Sequence, residues 1–448
     1  MARHDTKVAS TRPSAVTEPR LAAAAVLRDL RGGALLDAAF EAAGADLDAR
    51  DRRWLREAVY TTLRRRAWID AVLDARVRGG LSRVTASLAD LLRLGVTQLL
   101  FMDSVPAYAA IAQTVEQAKA LGIGASRLVN AVLRRVDRER DALEPPLPAD
   151  PLDAMALVHS HPRWLVARWA ARWGAEETRR LLEANNAEAH TVLRPYGLVR
   201  EQLEAMLEHA GVPTFEPPLS PDGIAVAHGV PVTALGVFQQ GHCFVQDPGA
   251  TMVARYAAVP PGATITDLCA APGGKAFELS RTAGCVVACD AVFARAARIA
   301  DSVRRMAVPN VYPVVADARR PCVRPTDVVL LDAPCTGTGT FRRHPDARWR
   351  LKPSDLAVMA AVQRTLLDAA AAVVRPGGLL VYSTCSLEVE ENDEQVEAFL
   401  ASHADFALDP PAPGTVPDAV LDAGRLRVLP HVHGVDGAFA ARLRRRAA

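Results

Sequence analysis

Ala263-Thr-Ile-Thr-Asp-Leu-Cys-Ala-Ala-Pro-Gly-Gly-Lys-Ala276 opens on a short apolar run, turns through small residues and glycines, and enters a helical stretch. Strand, glycine-rich loop and helix in that order form the repeating unit of doubly wound α/β sheets. Four runs downstream repeat the strand: Gly284-Cys-Val-Val-Ala-Cys-Asp290, Val311-Tyr-Pro-Val-Val-Ala-Asp317, Thr326-Asp-Val-Val-Leu-Leu-Asp332 and Gly377-Gly-Leu-Leu-Val-Tyr-Ser383. Helical stretches at 294–306 and 356–374 lie between them. The spacing predicts a mostly parallel sheet from about Gln246 onward. Four of the five runs end in, or run into, an aspartate, at the carboxyl strand ends where such sheets bind ligands.

The small residues Cys269, Ala270, Ala271, Pro272, Gly273 and Gly274 would let a ligand approach the backbone closely, and the helix start beyond offers N–H groups to an anion such as a methionine carboxylate. For a lone Gly-Gly, a tight turn that needs glycine for steric reasons alone is the better account. Asp290 shifts the balance, because a carboxylate at the end of the next strand can accept both hydroxyls of a ribose. No strand is followed by GxGxxG, so a nucleoside cofactor without pyrophosphate fits better than a dinucleotide. Lys275 stands out in a chain where all but four of the 53 cations are arginine.

Of the seven cysteines, none forms a CxxC pair or a Cys/His ligand spacing, so disulfides and a structural metal are not expected. Cys243, Cys285, Cys289 and Cys322 read as small buried hydrophobes. Cys335, in Asp332-Ala-Pro-Cys-Thr-Gly-Thr-Gly339, and Cys385, in Tyr382-Ser-Thr-Cys-Ser386, follow adjacent strand ends in loops where no core needs filling. Thiols so placed can act as nucleophiles if their pKa is lowered.

Upstream, apolar residues from Arg20 to about Glu144 recur at helical spacing, as in Val84, Leu88, Leu91, Leu92, Val96, Leu99 and Leu100. The run 87–101 puts Asp90, Arg93 and Thr97 on one side and predicts a helix with one buried face. Glu144-Pro-Pro-Leu-Pro-Ala-Asp-Pro151 reads as a stiff linker and a domain boundary. Residues 152–190 are helical again, and 190–240 mix short strands with a helix near 201–210. The expected organisation is a disordered tail over 1–20, a helical domain over 21–145, a linker with a small α/β subdomain over 146–240, and the α/β domain over 241–448. The 448 residues carry +2 net charge with 23% charged and 50% hydrophobic positions, so no global electrostatic attraction to nucleic acid follows. No apolar run is long enough for a membrane span, and the first 20 residues lack a signal-peptide core; a soluble cytoplasmic protein is expected.

Taken together, 267–275, Asp290, Asp317, Asp332-Ala-Pro-Cys335 and Ser383-Thr-Cys-Ser386 resemble the bacterial Sun/RsmB branch of the RNA cytosine-5 methyltransferases, within the Nol/Nop/Sun superfamily. The resemblance extends to Phe244-Val-Gln-Asp-Pro248, Arg342-Arg-His-Pro-Asp346, Glu390-Glu-Asn392 and Asp436-Gly-Ala-Phe439. It covers about 240–448 strongly. The helical half, with Leu92-Arg-Leu-Gly-Val-Thr-Gln-Leu-Leu100 and Leu128-Val-Asn-Ala-Val-Leu-Arg134, is similar to the RNA-binding NusB antitermination factor. Ala276, Thr336 and Ala438 replace the family's usual Thr, Ser and Phe, and none of these removes a reacting group.

The resemblance implies an all-α NusB-like domain, a small α/β linker domain and a Rossmann-like class I methyltransferase domain. It implies S-adenosylmethionine as cofactor, held by Cys269 to Lys275, Asp290, Asp317 and Asp332, with Asp317 reaching the adenine amino group. It makes Cys385 the thiol that attacks cytosine C6 and Cys335 the thiol that assists product release, with Asp332 near the base edge. The substrate would be 16S rRNA and the enzyme a monomer needing no metal. Local arginines should contact phosphate, Arg342, Arg343, Arg348 and Arg350 before Arg64 to Arg66 or Arg442 to Arg446. Two rivals remain: a DNA cytosine-5 methyltransferase with Cys335 as nucleophile, and a non-catalytic RNA-binding factor. Neither needs both thiols.

Overall fold

The computed structural model describes residues 16–227 and 229–447, which fall into two compact units divided at Trp169–Ala170. The tail expected over 1–20 lies outside the described residues up to 15. Its last three residues already belong to the first helix, α1 (Glu18–Arg31), with Pro19 in the first turn, where its missing N–H costs nothing.

In the first unit α1 is followed by α2 (Leu36–Gly44), α3 (Ala49–Arg64), α4 (Arg66–Asp74), α5 (Ala86–Leu100), α6 (Ala107–Ala118), α7 (Ile123–Glu139) and α8 (Pro151–Val158). Side-chain caps set several of the starts: Asp48 accepts from the Asp51 N–H, Thr85 from Leu88, and Asp150 from Leu152 and Asp153. Because α8 packs on α4, the proline-rich 144–151 stretch leads into a helix packed within the first unit. Helix α5 is the hub, packed by α1, α3, α4, α6 and α7. A Cβ on Gly95 would lie 2.6 Å from Leu133, so glycine there is what lets α7 come close. The expectation of one buried face on α5 is corrected. Asp90, Thr97 and Gln98 are buried too, because polar groups meet them there: Arg31 of α1 and Arg93 of α5 itself pair with Asp90, and the Thr62 hydroxyl of α3 lies 2.8 Å from that of Thr97.

The second unit completes helix α9 (Arg163–Asn186), broken at Gly174 where φ is +81°. A four-stranded antiparallel sheet follows, ordered β2 (Thr214–Phe215), β3 (Ile224–Val226), β1 (Thr191–Pro195), β4 (Cys243–Val245), with α10 (Arg200–His209) and the short α11 (Gly236–Gln239) alongside. The large sheet begins after α12 (Pro248–Ala257). Its parallel part runs β7 (Val311–Val315), β6 (Cys285–Asp290), β5 (Thr264–Asp267), β8 (Thr326–Asp332), β9 (Val374–Thr384), interleaved with α13 (Gly274–Ser280), α14 (Phe293–Met306), α15 (Ala347–Arg350) and α16 (Pro353–Ala372).

These five strands correspond to the five apolar runs of the sequence. What the sequence reading omitted is an antiparallel extension beyond β9. After α17 (Asp393–Ser402) come β10 (Phe406–Leu408), β11 (Leu421–Asp422), β12 (Arg425–Val428), α18 (Pro430–His433) and β13 (Ala438–Arg445), with β13 inserted between β9 and β12. The sheet is therefore mixed. Period-2 alternation sorts its side chains into two cores: Val328, Leu330, Leu379 and Val381 face one, Val329, Leu331, Leu380 and Tyr382 the other. Chain order reverses between β5 and β8, which puts the switch point, and hence the expected ligand crevice, at the ends of these strands.

Candidate active site

The parallel register aligns the chemistry. Asp267 ends β5, Asp290 ends β6, Asp332 ends β8, and Asp332 pairs with Ser383, two residues before Cys385. A cleft of about 730 Å³ opens there, lined among others by Cys269, Ala271, Asp290, Asp317, Asp332, Cys335 and Cys385. Ala270, Pro272, Gly273, Gly274 and Lys275 do not line it. For Gly273 and Gly274 the steric account of the turn is the one the packing supports. Gly273 has φ +108° and its Cβ would lie 2.7 Å from the Phe277 ring, while a Cβ on Gly274 would lie 3.1 Å from Gln246. Helix α13 is only seven residues long, so its dipole adds little at that end.

Lys275 does not face solvent. Its Nζ lies 2.6 Å from Asp332 Oδ2, while Asp332 Oδ1 accepts from Ser383 Oγ at 2.7 Å. Burial alone would lower the Lys275 pKa, but Asp332, Cys385 and Asp267 together raise it, so the ammonium persists. Asp267 is pushed up to about 8 by burial and then by the Asp332 charge. The Asp290 carboxylate accepts from the Val292 N–H at 3.0 Å and meets Arg295 at 3.1 Å. Asp317 is held down at about 2 by Arg319, whose guanidinium wraps its carboxylate.

The two thiols converge. Cys335 Sγ and Cys385 Sγ lie 3.3 Å apart, both half-buried. The hydrogen bond with Cys385, then burial, then the charges of Cys385 and Glu391 raise the Cys335 pKa well above the usual thiol value. Cys269 is pushed up to about 12 by burial and the nearby carboxylates. Cys243 and Cys289 are buried as expected, but Cys285 is half-buried and Cys322, in the loop after β7, is exposed. Glu391, missed as a site residue in the sequence, is fully buried against both cysteine loops. The only signal for it was the polar run Glu390-Glu-Asn392.

The expected phosphate-binding arginines beside the Pro-Cys loop are corrected. Arg343 meets Asp247 and Asp436, both at 2.7 Å, and Arg342 meets Asp436 at 3.1 Å. Arg348 is fully buried and donates to Asn186 Oδ1 and the Asn185 carbonyl, and Arg350 pairs with Asp346. Arg342 and Arg348 are buried, while Arg343 and Arg350 reach the surface and spend their charge on aspartates. Arg442 and Arg444 share Asp409, Arg445 pairs with Asp405, and Arg64 and Arg65 lie over the Tyr60 and Phe101 rings. Among the described residues no group of His, Cys, Asp and Glu could hold a metal ion, and no helix is long and apolar enough to cross a membrane.

A mixed sheet with acids at successive strand ends, and two thiols over one cleft, defines a Rossmann-like methyltransferase domain behind a helical one. Residues 256–444 match the family model described as 16S rRNA methyltransferase RsmB/F, residues 17–138 the NusB family, and residues 161–233 the RsmF/B-like ferredoxin-like domain. The chain is 39% identical over 406 residues to ribosomal RNA small subunit methyltransferase B of Xylella fastidiosa (strain Temecula1), covering 88% of this chain and 90% of that protein. It is 32% identical to a probable ribosomal RNA small subunit methyltransferase B of Bacillus subtilis, covering 90% and 92%. The crystal structure of PH0851 superposes with a TM-score of 0.80 at 28% identity, covering 96% of this chain and 100% of that one. A methyltransferase homolog from Pyrococcus horikoshii gives 0.56 at 26% identity, covering 66% and 99%. The chain belongs to the RsmB/F family of rRNA methyltransferases.

Proposed function

We propose that this chain methylates C5 of a cytosine in 16S rRNA, using S-adenosylmethionine and a covalent bond between Cys385 and C6 of the base. The observation that carries the reading is the pair of sulfurs 3.3 Å apart at the ends of adjacent strands, opening on the cleft that Asp290 and Asp317 also line. A cleft of about 730 Å³ with three carboxylates on its wall suits a nucleoside with a cationic tail. Cys269, Ala271, Asp290, Asp317 and Asp332, which line the cleft, would hold it. When bound, S-adenosylmethionine supplies an electrophilic methyl group.

Cytosine C5 is a poor nucleophile, so the ring needs activation. Addition of the Cys385 thiolate to C6 makes C5 enamine-like. After methylation the C5 proton passes to a water molecule, the Cys385–C6 bond breaks with its electron pair going to sulfur, and Cys335 can donate its proton to the departing thiolate. Cys335, held mainly protonated beside Cys385, assists that release, and the Lys275–Asp332 pair lies against the base edge to offset charge developing on the ring. A base within a helix must first leave the stack.

The test is a denaturing gel with labelled rRNA. Cys335→Ala should attack and methylate, then stall with RNA attached to Cys385. Cys385→Ala should form no adduct and transfer no methyl group. The reversed pattern would favour Cys335 as nucleophile, and trapping by neither variant would remove covalent catalysis.

A further inference from the structure

Glu391 lies in the turn after β9 with no exposed surface, an unfavourable place for a carboxylate unless donors surround it. Four do. Oε1 accepts from the Thr336 N–H and from Gln363 Nε2, both at 2.9 Å, and Oε2 accepts from the Thr336 and Ser386 hydroxyls. Thr336 follows Cys335 and Ser386 follows Cys385. One carboxylate thus joins the residues immediately after both thiols. Gln363 also donates to the carbonyl of Pro334, before Cys335, at 3.0 Å. Asn392 extends the arrangement: its Oδ1 accepts from Thr384 Oγ1 at 2.6 Å and its Nδ2 donates to the Ser386 carbonyl at 2.8 Å, on either side of Cys385. Three of the four donors around the Glu391 carboxylate belong to the two cysteine loops, and the fourth, Gln363, also binds one of them.

We propose that Glu391 is a positioning residue for methyl transfer: its carboxylate ties the Pro-Cys and Thr-Cys loops together and so fixes the spacing of the two sulfurs. This rests on the two-thiol reading above. The charges are also asymmetric. Glu391 acts on Cys335 and helps raise its pKa, whereas Cys385 is among the groups that raise the pKa of Lys275. The anion adds to what keeps the releasing thiol protonated, after the hydrogen bond with Cys385 and burial.

Glu391→Gln and Glu391→Ala, made in the full chain, separate geometry from charge. In the Gln variant the amide oxygen can still face the two N–H donors, while its NH2 faces two hydroxyls that turn to accept. Its kcat should stay within about tenfold of the parent, whereas Ala, which frees both loops, should lower kcat about 100-fold. Cofactor Kd should stay within about twofold in both. A purely structural glutamate would leave thiol chemistry alone. Alkylation by iodoacetamide at pH 8.5, resolved by mass spectrometry, should therefore be at least about threefold faster at Cys335 in the Gln variant, because the anion is gone.

Unchanged kcat in both variants with an unchanged Cys335 rate would overturn the proposal, and so would loss of cofactor affinity in step with kcat in both. If the Ala protein fails to fold, Glu391→Asp, one methylene too short to reach both loops, takes its place, and an unchanged kcat in that variant overturns the proposal. If the parent chain transfers no methyl to rRNA, the two-thiol reading falls, and the alkylation rates still decide whether Glu391 governs the thiols.

Discussion

Asp267 ends the central strand with 1% of its surface exposed, beneath Asp332 and Lys275, and burial followed by the Asp332 charge pushes it up to about 8. In the unfolded chain the same carboxyl titrates near ~3.9. Between those values the folded protein holds a proton that the unfolded chain has lost, so stability falls as pH rises from about 4 to 8 and then levels. Asp267→Asn carries no proton to lose. Without cofactor, its thermal midpoint should therefore decline less between pH 5 and pH 8 than that of the parent. Asp436, raised to about 7 chiefly by burial, contributes the same decline to both proteins and drops out of the comparison. Equal slopes in scanning calorimetry would mean Asp267 is ionised in the folded state. The positions of Asp267, Asp290 and Asp332 were legible in the sequence because strand period and turn chemistry are local. The environment that decides the protonation of Asp267 was not, since it is assembled from three strands.

At the scale of elements, the same division between local and distant information recurs in α5. Helical spacing reports which residues share a side, and Asp90, Arg93 and Thr97 do. It cannot report that Arg31, 59 residues away in the chain, comes to cover Asp90. Asp90 pairs with Arg31 and, at 2.9 Å, with Arg93, which also holds Asp70 at 2.6 Å. Removing one partner of a buried pair costs about 3–5 kcal/mol. Arg31 reaches solvent and Arg93 keeps Asp70, so about 2–3 kcal/mol is the expected loss for Asp90→Ala. Read locally, this is amide exchange in 86–100 faster by roughly 30- to 150-fold, with exchange in the large sheet unchanged. No acceleration in α5 would show that the pair contributes nothing. Strand β13 escaped notice for a related reason. Ala438-Phe-Ala-Ala-Arg-Leu-Arg-Arg445 has few β-branched residues, and what makes it a strand is pairing with β9 and β12 on either side.

For the whole molecule, a net charge of +2 hides how the arginines are spent. Beside the Pro-Cys loop Arg343 neutralises Asp247 and Asp436 and Arg348 caps a distant carbonyl, with these partners 93 to 163 residues away, which is why their role could not be read from the sequence. Any arginine that binds phosphate must be exposed. Arg127, Arg134 and Arg138 on α7 are exposed, and their spacing of seven and four residues puts them on one face of the helix, within the residues that match the NusB family. Replacing all three with Ala in the full chain should leave cofactor affinity unchanged and weaken rRNA binding. If each neutralises one phosphate, the slope of log K against log salt becomes shallower by about 2–3, from counterion release of roughly 0.7–0.9 per contact. Because cost and slope arise from the same contacts, weaker binding with an unchanged slope would point to altered folding and not to lost phosphate contacts. An unchanged affinity would move the RNA surface off this face of α7 altogether.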